Sequence, residues 1–210
     1  MINFKHDNSK NFYFFFTLFS VQLMATEEAE FTLIHKENNF EIREYSPRII
    51  AQVSVSGNFN DSSSAGFKSL ADYIFGNNVI NDESQKIAMT APVVAEPTAE
   101  KITMAAPVLA EGKNSEWLIS FVMPKEYSME TLPKPNNTAV KLIVQPKEKY
   151  AVVVFSGLVR ESSYDAKARL LDGFVKTQGL SPVGSLLIAR YNPPWTLPFF
   201  RRNELMVKVR

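Results

Sequence analysis

The chain has no cysteine and only two histidines among its 210 residues. The lack of cysteine excludes disulfide bonds, a thiol nucleophile and metal sites built on thiolates. His6 lies in a segment that we expect to be removed, so any histidine chemistry would depend on His35. The sequence also lacks a glycine-rich phosphate loop. These absences argue against most enzyme classes, and we expect neither a catalytic residue nor a bound metal ion.

A surplus of charge is missing as well. The sequence has 23 basic and 22 acidic side chains, and removal of residues 1–25 would leave 21 of each. Proteins that bind nucleic acids usually carry an excess of lysine and arginine for the phosphate backbone. We therefore expect no nucleic-acid partner. With 45% hydrophobic residues, the chain suits one large globular domain or a duplicated smaller one.

The first 25 residues differ from the rest in composition. Lys5 and Lys10 precede an apolar, phenylalanine-rich run at 12–24, which ends before Ala25. This order is typical of a secretory signal peptide cleaved near Ala25, and it predicts a periplasmic or secreted protein. The run of about thirteen residues is shorter than the roughly 20 that cross a membrane, so we expect no stable membrane insertion of the mature chain. A retained amphiphilic anchor and a true start at Met24 are the alternatives.

A short repeat is the most informative pattern in the chain. Residues 86–96 (KIAMTAPVVAE) return fifteen positions later as 101–111 (KITMAAPVLAE). In both copies apolar residues occupy alternate positions, which is typical of half-buried strands. A short turn would pair the copies as a hairpin with Glu96 opposite Lys101. Because the proline in each copy cannot donate a hydrogen bond to a ladder, we expect it at an edge or a bulge beside a pocket.

A second repeat has an offset of 100 positions. Alignment of the chain with itself at this offset matches eight of 22 positions, among them Ser56-Gly57 with Ser156-Gly157. The matches lie in one local pattern: an alternating apolar run, a Ser-Gly pair, a Ser-Ser pair and a helical stripe. We interpret this as an internal duplication. It divides a domain at 26–210 into halves at about 40–124 and 139–210.

Each half is predicted to contain one amphipathic helix. The first should begin near Ser63, which can cap it, and end at Gly76. The second should begin near Ser163 and end by Gly179. The expected buried stripes are Phe67, Leu70, Ala71, Ile74 and Phe75 in the first helix, and Tyr164, Ala168, Leu171 and Val175 in the second.

The candidate strands are joined by short, proline-rich links, which favours antiparallel pairing. They are 40–45, 49–55, the two repeat copies, 117–123, 139–145, 150–155, 186–191 and 205–209. Two amphipathic helices need a sheet to cover. The pattern therefore predicts an α+β domain with two strand-helix-strand halves around a curved sheet or a distorted barrel.

Several short motifs follow one another along the chain, namely 86–93, SFVMP at 120–124, TLPKP at 131–135, ARYNPPW at 189–195 and RRNE at 201–204. In this order they resemble the SOUL haem-binding protein family, especially its bacterial, signal-bearing members. The resemblance runs from about Phe31 to Val209. It implies two pseudo-symmetric β-α-β halves that form a distorted antiparallel barrel with two flanking helices. The fold is also similar to effector-binding domains of bacterial multidrug regulators, which bind hydrophobic ligands between their halves.

The resemblance implies non-covalent binding of haem or a related tetrapyrrole in an apolar pocket. Animal relatives place this pocket along the first helix with basic side chains facing the propionates, whereas Lys68 is the only cation on the matching stretch here. A proline-rich loop at 191–200 offers aromatic rings for a pocket rim. The candidate cofactor-binding residues are Phe67, Lys68, Leu70, Ala71, Ile74, Met89, Tyr191 and Trp195. Each is equally open to a structural interpretation as core, surface or loop.

Haem could be held by an axial ligand or by burial, and the sequence favours burial. His35 matches no ligand position of the family, and Met89, Met104 and Met123 on apolar strand faces are typical of core residues. Burial of about 300 Å² of porphyrin at roughly 25 cal/mol/Å² gives about 7 kcal/mol before association costs, which corresponds to micromolar affinity. We expect weak or absent axial ligation, as suits a carrier or buffer.

Two other functions stay open at this point. A sensor or interaction module would bind other hydrophobic ligands or a partner protein. A hydrolase would need a glutamate and a tyrosine in the pocket, as proposed for regulators of similar fold. The oligomeric state does not follow from the sequence.

Overall fold

The computed structural model describes residues 27–98 and 116–210. Within these ranges the chain forms the helices α1 (Phe59–Ile74) and α2 (Glu161–Thr177). The strands are β1 (Phe31–Glu37), β2 (Phe40–Tyr45), β3 (Arg48–Ser56), β4 (Asn78–Val79), β5 (Val93–Pro97), β6 (Glu116–Val122), β7 (Lys134–Pro135), β8 (Lys141–Gln145), β9 (Glu148–Phe155), β10 (Pro182–Arg190) and β11 (Asn203–Val209). Neither of these helices has the length and apolar character that crossing a bilayer requires.

The first helix begins earlier than predicted. Asn58 lies at the N-cap, where its side chain accepts a hydrogen bond from the backbone N–H of Asp61, so α1 begins at Phe59 and not near Ser63. The predicted start of α2 is also two residues late, because Ser163 lies inside the first turn and accepts a hydrogen bond from the backbone N–H of Arg160. The predicted apolar stripe of α2 is confirmed, with all four of its residues buried.

The strands form one large antiparallel sheet and a small pair. Nine strands follow the order β1-β2-β9-β11-β10-β5-β6-β3-β8, and β4 pairs with β7 apart from them. The predicted α+β class with a distorted antiparallel sheet and two helices is confirmed. The sheet is not closed into a barrel, because its two edge strands, β1 and β8, do not pair with each other. About the β5–β10 pair the order is symmetric, β3-β6-β5 on one side and β9-β11-β10 on the other, as an internal duplication would produce.

Short links force the open sheet to curl. Only Ser46 and Pro47 join β2 to β3, although these strands lie six positions apart in the sheet. A flat sheet would separate them by about 29 Å, whereas three peptide units span at most about 11 Å. The link of Pro146 and Lys147 between β8 and β9 imposes the same constraint. The two ends of the sheet therefore meet at one corner.

The helices cover one face of the curled sheet. α1 packs on β3 and β6, and α2 packs on β9 and β11. The main core lies beneath the helices and includes Leu70, Trp117, Ile119, Leu171 and Leu205. A cavity on the other face is lined by side chains of β2, β3, β5, β6 and β8 to β11. Because strands from both ends of the sheet line it, this face is the inside of the curl, and we name it the inner face.

The first copy of the short repeat is only partly a strand. Residues 86–92 have no regular structure, and β5 begins after Pro92, which follows a cis peptide bond. Both edges of β5 are occupied, because Val93 to Ala95 pair with β10 on one side and with β6 on the other. The predicted hairpin with the second copy is therefore wrong along these residues. The second copy lies outside the described residues.

Candidate ligand-binding site

The residues predicted as a pocket wall on α1 lie in the core. Leu70 is fully buried, and Ala71 and Ile74 are at most 8% exposed. Phe67 is half-buried, and its ring packs edge-on against Phe121 with 5.4 Å between centroids. A ligand could contact Leu70 or Ile74 only if α1 moved away from the sheet. The assignment of these residues to a binding site stays a prediction.

The other predicted residues do not join this set into one site. Lys68 is exposed on α1. Met89 is 38% exposed in the irregular segment before β5. Tyr191 lies at the end of β10 and donates a hydrogen bond to Glu204. Trp195 is 83% exposed in the loop that follows.

Two neighbouring cavities meet at Arg48, one at the corner formed by residues 46–48 and one on the inner face. The larger has a volume of about 340 Å³ and is lined by the chain at 27–30, the start of β3 and the segment 122–130. The smaller, of about 40 Å³, lies deeper across the sheet. The two share Ala29, Arg48 and Val122 as lining residues. The larger volume falls at the lower end of the roughly 300–1,000 Å³ typical of ligand pockets.

Arg48 lies at the wall that the two cavities share. Its guanidinium carbon is 4.8 Å from the ring centroid of Tyr45 and 6.0 Å from that of Tyr150. Its Nη1 atom is buried and has no hydrogen-bond partner among the described residues. Buried guanidinium nitrogens are normally paired, because an unsatisfied donor forfeits its hydration. An unpaired Nη1 beside a cavity is what a carboxylate-binding site requires.

Sequence reasoning missed Arg48. Its position one residue after Pro47 suggests only a turn between two strands. The rings that flank it come from β2 and β9, about a hundred residues apart in the chain. The available signal was the pair of two-residue links at 46–47 and 146–147, which repeat at the offset of the duplication and mark the corner where the sheet ends meet.

Acidic groups line the remainder of the inner face near Arg48. Burial and then the charge of Glu148 raise the pKa of Glu96, which lines the smaller cavity. Tyr150 donates a hydrogen bond of 2.7 Å to Glu148, and Lys208 pairs with the same carboxylate. Although burial opposes it, these two contacts lower the pKa of Glu148. The face thus has one charged carboxylate that is paired and one carboxyl group whose ionisation is disfavoured.

A second buried network on this face is fully paired. The Glu204 carboxylate is inaccessible to solvent and accepts five hydrogen bonds, from Arg43 Nη1 and Nη2, Tyr191 Oη, and Arg202 Nε and Nη2. Burial and then the charge of Glu204 raise the pKa of Tyr191. The glutamate has no free lone pair directed to a substrate, so this Glu–Tyr pair suits a structural role better than that of a general base.

Three methionines line the cavities, Met123 and Met129 in the larger and Met206 in the smaller, whereas His35 lines neither. His35 lies on β1 with its ring stacked 6.2 Å from that of Phe174 on α2, on the helix side of the sheet. Met123 is buried and contributes to the wall of the larger cavity. Met104 lies outside the described residues. Among residues 27–98 and 116–210 no group of three metal-binding side chains occurs.

Comparison with protein families identifies the family of the chain. The family described as "SOUL heme-binding protein" matches residues 26–208. The chain belongs to the SOUL family. The resemblance predicted from the motifs is therefore confirmed over nearly the whole chain, and SOUL is a ligand-binding family. No curated protein matches the chain.

Solved structures share the SOUL fold seen here at low identity. The C-terminal domain of EcmrR has 12% identity and a TM-score of 0.59, covering 81% of this chain and 96% of that one. A hydrolase from Listeria innocua has 12% identity and a TM-score of 0.54, with coverages of 84% and 94%. An uncharacterized conserved protein from Listeria innocua has 12% identity and a TM-score of 0.55, covering 89% of this chain and 94% of that one. At these identities the likeness establishes the fold alone.

Proposed function

We propose that this SOUL protein binds haem or a related tetrapyrrole reversibly and without a covalent bond, as a carrier or buffer and not as an enzyme. Family membership supports a tetrapyrrole ligand. The observation that carries the proposal in this chain is the unpaired, buried Nη1 of Arg48 beside the two cavities. We further propose that the protein acts in the periplasm or outside the cell, in accord with the signal-like segment.

The residues around Arg48 fit an amphipathic macrocycle that carries carboxylates. The walls that lie near it are largely apolar and are formed by Ala29, Ile50, Pro92, Val94, Val122, Leu187 and Met206. Arg48 would pair with a propionate, a charge-assisted contact that apolar walls strengthen. Bound haem would supply an iron centre, and the protein residues would exclude water and orient the ring. Cavities of about 340 and 40 Å³ would enclose only a part of such a ring, which agrees with a micromolar carrier more than with a permanent cofactor.

Replacement of two cationic side chains, Arg48 and Lys68, tests where the ligand binds. Purified protein is titrated with hemin while the Soret band is followed, for wild type, Arg48→Gln and Lys68→Gln. Arg48 makes no side-chain hydrogen bond within the described chain, so its replacement should leave the fold intact. A lost charge-assisted bond is worth about 1.5–3 kcal/mol. We expect Arg48→Gln to weaken hemin binding about tenfold or more and Lys68→Gln to leave it unchanged.

The opposite result would place the ligand at α1. Loss of affinity in Lys68→Gln with wild-type affinity in Arg48→Gln would move the site to α1, where Phe67 and Lys68 would contact the ligand. No saturable Soret shift at one equivalent in wild type would contradict tetrapyrrole binding itself. Thermal melts of each variant separate loss of binding from loss of fold.

A second candidate function is the binding of other hydrophobic ligands by a sensor or interaction module. The observation that favours it is the Glu96 carboxyl group in the wall of the smaller cavity, because a bound cation would favour its ionised form whereas a dicarboxylate would oppose it. A fluorescent cationic dye that binds saturably, is displaced by no tetrapyrrole and loses affinity in Glu96→Gln would favour this function.

A further inference from the structure

The loop between β10 and β11 presents the most exposed large apolar side chains of the described residues. Trp195, Phe200 and Phe199 are 83%, 70% and 65% exposed, and Leu197 is 55% exposed. We name residues 192–201 the aromatic loop. Single exposed apolar residues are ordinary, but a cluster of four on one loop marks an interaction surface.

Five backbone carbonyls of the aromatic loop are paired within the protein. Arg201 donates from Nε to the carbonyl of Thr196 at 2.7 Å and from Nη2 to that of Pro194. The carbonyls of Pro193, Leu197 and Pro198 accept backbone N–H groups. The three prolines contribute no N–H of their own. Five loop carbonyls therefore keep their hydrogen bonds when water is withdrawn.

The same loop is held rigidly against the rest of the molecule. Gly157 donates its N–H to the carbonyl of Pro198 at 2.9 Å, and Arg202 donates its N–H to the side chain of Asn192 at 2.6 Å. A loop whose backbone is anchored in this way loses little backbone entropy when it binds a surface.

The beginning of the described chain lies next to the base of the aromatic loop. Glu28 pairs with Arg202 Nη1 at 3.0 Å. The apolar run at 12–24 precedes Glu28 by only a few residues in the sequence. The Glu28–Arg202 pair thus joins the start of the described chain to the base of the loop.

We propose that the aromatic loop rests in the interface of a lipid bilayer. Tryptophan and phenylalanine favour this boundary, where rings are buried among acyl chains and headgroups. The five paired carbonyls lower the cost of placing the loop in the bilayer interface, where an unsatisfied polar group is costly. This proposal does not depend on the identity of the bound ligand.

Tryptophan fluorescence tests the proposal in the full chain. The protein has two tryptophans, of which Trp117 is 1% exposed and Trp195 is 83% exposed. The probe is a set of unilamellar vesicles of phosphatidylcholine and phosphatidylglycerol, with and without bromine on the acyl chains. We expect a blue shift on vesicle addition and quenching of the Trp195 emission by the brominated lipid. This readout reports the loop itself, even where the run at 12–24 contributes to binding.

A double variant and a matched control complete the test. Phe199→Ser with Phe200→Ser should lower quenching and raise the lipid concentration needed for half-maximal shift by about tenfold or more, from the apolar area lost. Leu170→Ser, at a site 53% exposed on α2, should behave as wild type. Sedimentation with vesicles without quenching of Trp195 would overturn the proposal, as would an absence of any binding. A concentration-dependent blue shift without lipid would overturn it in favour of a second copy of the chain.

Discussion

Arg43 and Glu204 form the most buried ion pair of the described structure. Arg43 is 1% exposed, and its guanidinium binds the Glu204 carboxylate through two hydrogen bonds of 2.8 and 3.0 Å. Burial alone would lower the pKa of Arg43, but the hydrogen bond and charge of Glu204 outweigh it and raise the pKa. Such a pair adds little net stability by itself, yet the loss of one member leaves a charge buried without its partner.

We therefore expect Glu204→Gln to be strongly destabilising. The change keeps the shape of the side chain and removes its charge, so Arg43 retains only Glu41 as an anionic partner. The free energy of unfolding should fall by about 3–5 kcal/mol, measured by urea denaturation. Glu30→Gln serves as the control, because the Glu30–Lys125 pair is exposed and should change nothing measurable. Equal effects of the two changes would contradict the structural role of the buried network.

The raised pKa of Glu96 predicts that the stability of the fold depends on pH. Its pKa is raised above the usual 4.5 by burial and then by Glu148, so folding favours the protonated form. The free energy of unfolding therefore falls as the pH rises from about 4.5 through the raised pKa. We expect Glu96→Gln to raise the melting temperature at pH 7 and to have little effect below pH 4.5. Glu83→Gln, at an exposed position, is the control, and a Glu96→Gln protein less stable than wild type at pH 7 would refute the assignment.

At the scale of elements, one glycine sets how closely α1 approaches the sheet. Gly66 is buried, and a Cβ atom at this position would overlap the side chain of Ile119 on β6. Both partners are confined, because Ile119 is itself fully buried in the core. The helix that carries most of the predicted pocket residues is thus seated in direct contact with the sheet at its midpoint.

Gly66→Ala should lower the free energy of unfolding by about 1–3 kcal/mol through overpacking. The matched control is Gly173→Ala on α2, where an added Cβ meets nothing within 4 Å. There the change should stabilise the protein by about 0.5–1 kcal/mol, since alanine loses less backbone entropy in a helix. Chemical denaturation of both variants measures the difference, and a destabilising Gly173→Ala would show that backbone propensity does not govern that site.

The elements that were predicted well are those in which the spacing of apolar residues along the chain identifies the buried face. Trp117, Ile119 and Phe121 alternate along β6, and Tyr164, Ala168 and Leu171 recur at helical spacing on α2, so the buried face of each follows directly. β1 was missed because six of its seven residues are exposed and carry no alternation. The start of α1 was displaced because Asn58 caps it ahead of the serine pair, and that of α2 because Ser163 lies at the third position of the helix and not at its cap.

At the scale of the whole molecule, the candidate site was beyond the reach of periodicity. The stripe of Leu70, Ala71 and Ile74 has the same spacing whether it lines a pocket or fills a core, and only the packing of α1 distinguishes the two. Arg48 acquires its surroundings from β2 and β9, which the strand order brings together. Local patterns predicted most of the buried residues, although Phe75 of the predicted α1 stripe lies at the C-cap and is 60% exposed. The order of strand pairing determined what the buried residues surround.

The positions of β2 and β8 in the sheet affect how the molecule unfolds. β2 precedes β3 in the chain but hydrogen-bonds to β9, and β8 precedes β9 but hydrogen-bonds to β3. The predicted halves at 40–124 and 139–210 would thus exchange their outer strands, β2 and β8. Unfolding of either half would leave one of these strands without its hydrogen-bonded neighbour, so we expect a single cooperative unfolding transition.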